Sequence, residues 1–139
     1  MVNLSATSVY VDDTDSALLY SGVWFTAPSS DYQNSSHGTN TAGSSVSFQF
    51  TGTQVFVYGS IDPSNESACI RTPISTYTLD ATPMTTFFAP IIDTKLNNSL
   101  FYESPVIDNG LHTLIITSAS QNSLFWLDYI IYTPPGTYV

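Results

Sequence analysis

The chain has 139 residues, which suits one domain with its own core. Its formal net charge of −9, with Lys95 and Arg71 the only fixed cations, excludes the phosphate neutralisation on which nucleic-acid binding depends, and attraction to an anionic membrane surface. No apolar run approaches the ~20 residues that span a bilayer. Charged residues make up 9% beside 42% hydrophobic ones, so the polar surface must come from Ser, Thr, Asn, Gln and Tyr, a balance typical of secreted β-proteins.

In chain order, Ser8–Val11 reads as a first strand. Asp12, Asp13 and Asp15 follow as a cluster of carboxylates, and Asp15–Leu19 is the one stretch that reads as a helical turn. Leu19–Trp24 is a second strand. Residues 29–45 are rich in Ser, Asn, Thr and Gly and read as a long loop, of the kind that is usually functional or mobile. Val46, Phe48 and Phe50 then alternate with Ser45, Ser47, Gln49 and Thr51, the period of a half-buried strand. Val55-Phe56-Val57-Tyr58 is apolar on both parities and reads as a fully buried central strand. Gly52-Thr53 between these runs would make a tight hairpin. Further strands are expected at Thr76–Leu79, Thr85–Phe88, Leu100–Glu103, Leu111–Thr117 and Phe125–Tyr132. Pro134-Pro135-Gly136 closes the domain, which leaves a core of about residues 8–133 and a tail of 134–139.

Many short strands punctuated by Gly, Pro, Asn and Asp predict an all-β chain, a two-sheet antiparallel β-sandwich or jelly roll. Gly110-x-His112-Thr113-Leu114-x-Ile116, then Leu127-Asp128-Tyr129-Ile130, resemble the last two strands of galactose-binding-like jelly rolls, a superfamily that includes many carbohydrate-binding modules. More narrowly, the chain is similar to mushroom-type fungal extracellular domains. The carriers are Val11-Asp12-Asp13, Tyr20-Ser21-Gly22-x-Trp24, His37-Gly38-Thr39, Phe48-x-Phe50-Thr51-Gly52-Thr53-x-Val55, Tyr58-Gly59, Tyr77-Thr78-Leu79-Asp80 and Leu100-Phe101-x-Glu103-Ser104-Pro105. The likeness runs from Val11 to Tyr132. It departs at Ala81, where a Gly would usually follow the Asp of the turn, so that hairpin is expected to be longer here. The resemblance implies a secreted protein, or the ectodomain of a membrane-anchored one, that binds a glycan or wall polysaccharide. Asn-x-Ser/Thr triplets at Asn3, Asn34, Asn65 and Asn97 suit such a setting.

Holding a sugar needs flat aromatic faces and fixed polar groups. Trp24, Tyr32 and His37 lie in or beside the long polar loop, while Asn122, Phe125 and Trp126 lie at the loop before the last strand. By the resemblance, Trp126 and Asn122 are expected contacts. Each has a plainer reading: Trp24 and Trp126 as core, and His37 as a turn cap. His112 shares parity with Leu114 and Ile116 and is expected to point inward as a satisfied histidine. Asp12 and Asp13 are candidate ligands for a structural calcium, which related sandwiches often carry where the first and last strands approach; otherwise they form a solvated turn. No other cofactor is expected.

Cys69 is alone, so it reads as a partly buried small side chain or as a site for pairing with another chain. The motifs of serine hydrolases, zinc proteases and phosphate-binding loops are absent. A glycosidase would need two facing carboxylates, for which Asp62, Glu66, Asp93, Glu103 and Asp128 are candidates. The leading expectation is a lectin-like module. The alternatives are a structural or adhesive ectodomain with a protein partner, and a small glycoside hydrolase. A weak single site would make pairing of copies useful, so a homo-oligomer is also an expectation.

Overall fold

A computed structural model describes residues 4–5, 8–28, 35–64, 72–80 and 82–138, and among these every regular element is a strand. In chain order they are β1 (Leu4–Ser5), β2 (Val9–Asp12), β3 (Leu18–Ser21), β4 (Phe25–Pro28), β5 (Ser35–Thr39), β6 (Ser45–Gly52), β7 (Gln54–Ile61), β8 (Ile74–Leu79), β9 (Thr85–Phe88), β10 (Leu96–Glu103), β11 (Gly110–Ser118), β12 (Phe125–Thr133) and β13 (Thr137–Tyr138). The larger sheet runs β10-β7-β12-β5-β4, with β2 also paired to β12; the smaller runs β3-β6-β11-β8-β9. All pairings are antiparallel. The chain is a two-sheet jelly roll, as its patterning predicts.

The two sheets bury one core between them. Val46, Phe48 and Phe50 of β6 face Val55 and Val57 of β7, Leu114 and Ile116 of β11, and Leu127 and Ile130 of β12. Each of these side chains is buried, and full burial of one such side chain is worth roughly 1.5–3 kcal/mol against leaving it in water.

Several local expectations are corrected. The Gly52-Thr53 link is no hairpin: β6 belongs to the smaller sheet and β7 to the larger, so these two residues carry the chain from one layer to the other. The apolar faces of both strands then meet across the core instead of lying side by side. Strand β7 is central, but only its Val55 and Val57 parity faces the core; Phe56 and Tyr58 are half-buried on the opposite side of the sheet. Asp15–Leu19 forms turns and the start of β3, not a helical turn. Leu19–Trp24 is broken at Gly22, whose positive φ of 98° turns the chain from β3 into β4 in the other sheet. The long polar loop contains β5, because its Ser and Gly residues pair with both β4 and β12. The tail carries β13, which pairs with β1. The β8–β9 hairpin has the longer connection expected of it, Leu79 to Thr85. Cys69, Arg71, Ala81 and the triplets at Asn3, Asn34 and Asn65 lie outside the described residues.

Candidate functional site

Strand β12 begins at one end of the sandwich, where three connections meet. Residues 22–24 join β3 to β4, residues 40–44 join β5 to β6, and residues 119–124 join β11 to β12. The backbone there is tied by Asn122 N donating to Asn40 O at 2.8 Å, Gly43 N to Ser118 O at 2.8 Å and Ser118 N to Ser44 O at 2.9 Å. Side chains add to it: the amide of Ala42 donates to Gln121 Oε1 at 2.9 Å, and that of Val23 to Ser44 Oγ at 3.1 Å. Asn122 is held at φ 64°, a left-handed conformation that Asn tolerates better than most residues. Such backbone persists only where its surroundings over-determine it.

Trp24 stands at this end. Its Nε1 donates to the Ser21 carbonyl at 3.0 Å, and its ring packs edge-on against Tyr20 and Phe125, with centroids 5.0 and 6.1 Å apart. It is half-buried, so part of the indole meets solvent. Asn40, Gln121 and Asn122 are exposed around the same connections. The result is one anchored indole and three carboxamides on a rigid rim. Each carboxamide carries donors and an acceptor, the groups that pair with sugar hydroxyls.

The other expected residues lie elsewhere. His37 is on β5 and points between the sheets, not into a loop. Its ring stacks on Tyr20 at 4.0 Å and 12°, and its Nδ1 lies 2.7 Å from Asp13 Oδ2. Asp13 Oδ1 accepts from Ser35 Oγ at 2.6 Å, and the Asp13 carbonyl accepts from the Tyr20 hydroxyl at 2.7 Å. Burial pushes the Asp13 carboxyl up, while the Ser35 and His37 hydrogen bonds pull against it. Both Asp13 oxygens are thus occupied by protein donors, a poor arrangement for a calcium ligand. Asp12 keeps Oδ1 buried without a partner, while its Oδ2 accepts from the Thr14 hydroxyl. Among the described residues no three His, Cys, Asp or Glu side chains gather as a metal site. Tyr32 lies outside the described residues.

Trp126 is on β12 and faces outward from the larger sheet. Its ring lies directly over Gly38 of β5, where a Cβ would collide with it. Its Nε1 donates to Asp62 Oδ2 at 2.7 Å, Phe25 meets its ring edge-on, and Lys95 sits 5.9 Å above it. So held, Trp126 is buried and serves as the packing of this face more than as a platform. Beside it Tyr58 and Tyr129 stack at 4.9 Å, with Tyr10 next in the row at 6.0 Å. The sequence reading missed this tyrosine row. Its signal was present, since Tyr58 has the opposite parity to Val55 and Val57. The carboxylates named for a glycosidase each have their own partners or exposure. Asp62 is bonded to Trp126, Asp128 is buried and accepts from Ser60 Oγ at 2.6 Å, Asp93 lines an open hollow of about 490 Å³, and Glu103 is exposed on β10. Glu66 lies outside the described residues.

No protein-family model matches the chain, and no curated protein does. Solved structures match well. A family two carbohydrate esterase from Cellvibrio japonicus aligns with a TM-score of 0.63 at 15% identity, over 96% of this chain and 35% of its own. A two-domain esterase active on acetylated mannans gives 0.67 at 13%, over 93% and 36%. This chain thus spans about a third of the length of either esterase. The C-terminal CBM6 of a marine laminarinase from Zobellia galactanivorans gives 0.54 at 13%, over 91% of this chain and 99% of that module. What all three share with this chain is the fold, a two-sheet β-sandwich of the jelly-roll kind.

Proposed function

We propose that this chain is an extracellular carbohydrate-binding module that holds a neutral glycan without cleaving it, at the loop end built around Trp24 and Asn122. The carrying observation is the rigid rim itself: a partly exposed indole fixed by Tyr20, Phe125 and Ser21, beside the carboxamides of Asn40, Gln121 and Asn122. An indole face packs against the C–H face of a sugar ring while the amides exchange hydrogen bonds with its hydroxyls. A rim already locked by its own backbone bonds loses little freedom on binding. The net charge of −9 disfavours sulfated or phosphorylated glycans.

The neighbours support the glycan class as far as fold likeness can: one is itself a CBM6, and another was co-crystallised with mannopentaose. The test is calorimetric titration of soluble neutral oligosaccharides, with and without EDTA, together with an assay for released reducing sugar. Saturable binding without release, lost in Trp24→Ala, supports the reading. Release of sugar would replace it with a hydrolase, and sensitivity to EDTA would show that a cation takes part, for which Asp12→Ala would then test Asp12 as a ligand.

A further inference from the structure

Among the described residues, no outward-facing strand position of the smaller sheet carries a charge. Its outward strand positions are Leu19 and Ser21 on β3, the Ser45, Ser47, Gln49 and Thr51 parity on β6, the Leu111 to Thr117 parity on β11, the Ile74 to Thr78 parity on β8, and Thr86 and Phe88 on β9. None is Asp, Glu, Lys or Arg, on a chain of net charge −9. The outward side of the larger sheet, in contrast, presents Asp12, Asp62 and Lys95.

The register sets these side chains in rows. Thr86 pairs with Thr76, Thr76 with Thr117, Thr117 with Ser45 and Ser45 with Ser21, which makes one line of hydroxyls across all five strands. The neighbouring row runs Thr78, Ile115, Ser47, Leu19. Adjacent strands lie roughly 4.8 Å apart, so the hydroxyl row is about 19 Å long. Each hydroxyl both donates and accepts. The methyl groups of Thr, Ile115 and Leu19 stand between them, and Leu19 is 65% exposed and Ile115 42%.

From this we infer that the smaller sheet's outward face is a second contact surface, one that lies flat on a neutral, insoluble polysaccharide while the loop end takes a single chain. The match is one of charge and chemistry. An uncharged polymer offers hydroxyls and C–H groups in repeat, and a charge-free face meets it without burying an unpaired ion. A second copy of the chain is the less suitable occupant. Five strands about 20 Å long present on the order of 400 Å² per face, about half of the ~800 Å² per partner in a standard stable interface. The inference takes only the class of polymer from the proposed function, and the two fail separately.

The probes are microcrystalline cellulose, chitin and an insoluble β-1,3-glucan, with depletion of the protein from solution as readout. Ile115→Lys and Ile115→Glu should each weaken retention by roughly tenfold, since either charge would be buried against a neutral surface. Ile115→Val should retain it. Thr86→Lys, at the exposed far end of the hydroxyl row, repeats the test at a position whose substitution does not touch the core. None of these should change the calorimetric titration with soluble oligosaccharides, whereas Trp24→Ala should abolish that titration and leave part of the depletion. Unchanged depletion in the charged variants overturns the inference. So does sedimentation showing that the wild type self-associates and that Ile115→Lys makes it monomeric without altering depletion; the face would then belong to a second copy.

Discussion

Nδ1 of His37 lies 2.7 Å from the buried carboxylate of Asp13 and joins β5 to the turn after β2 across 24 residues of sequence. The same carboxylate holds Ser35, and His37 in turn supports Tyr20, against which Trp24 packs. Two residues that the sequence offers separately, one as a sugar contact and one as a calcium ligand, are therefore together the footing of the loop end.

Removing that footing has a predictable cost. Asp13→Ala leaves Ser35 and His37 without their acceptor in a buried setting, and the loss should be about 2–3 kcal/mol. Urea denaturation measures it. A change below about half a kcal/mol would show that the pair is dispensable to the fold.

His112 ties two connections together. It faces inward as expected, its Nδ1 lies 2.6 Å from Asp80 Oδ2, and its Nε2 lies 2.7 Å from the Asp108 carbonyl. Both ring nitrogens face acceptors, an arrangement that favours the charged imidazolium. The Asp108 carbonyl, then Asp80, holds its pKa above the ordinary value. At Asp80, partial burial pushes upward, but the Thr113 amide and His112 together hold the carboxyl below its usual range. The His112 contribution is full below about pH 6.5, the unfolded value, and is lost as pH rises through the raised folded one. The Asp80 contribution is full above about pH 4 and is lost as pH falls through the lowered folded value. The melting temperature of the wild type should therefore decline from pH 6 toward pH 9 by more than that of His112→Gln. Parallel profiles for the two proteins would refute the charged latch.

Gly38 is glycine because the Trp126 ring occupies the space of a side chain. Gly38→Ala should displace the indole, break its hydrogen bond to Asp62 and cost about 1–3 kcal/mol. Tryptophan fluorescence would shift to longer wavelength as the ring gains water. An unchanged spectrum with an unchanged melting temperature would mean that the strand moves aside instead.

Asn122 separates backbone from side chain cleanly. Asn122→Gly keeps the positive φ at no steric cost and removes only the carboxamide, so stability should stay within about 0.5 kcal/mol. Soluble glycan affinity should fall roughly tenfold, as expected for a lost hydrogen bond to a ligand. Calorimetry on both proteins decides, and equal affinities would remove Asn122 from the site.

Much of the fold was legible before any coordinates. The alternation at Ser45–Thr51, the paired motifs of β11 and β12 and the dearth of helical periodicity already indicated a two-sheet β-sandwich. The inward parity of His112 was readable for the same reason: side chains in a strand alternate with period two. Trp24 and Asn122 were named from composition and resemblance, and the structure brings both to the loop end; Trp126 and His37, named in the same way, are taken up by packing.

What the amino-acid sequence by itself determined was class: strands, acidity, the exclusion of nucleic acid, and the core parity of alternating strands such as β6 and β11. The tertiary structure alone decided which strands share a sheet. Gly52-Thr53 is compatible with a hairpin or with a crossing between layers, because local turn chemistry does not record which neighbour a strand will bond to. The same decision placed Thr86, Thr76, Thr117, Ser45 and Ser21 in one row from five separate stretches of chain. Register is a relation between strands, so no single strand's sequence contains it.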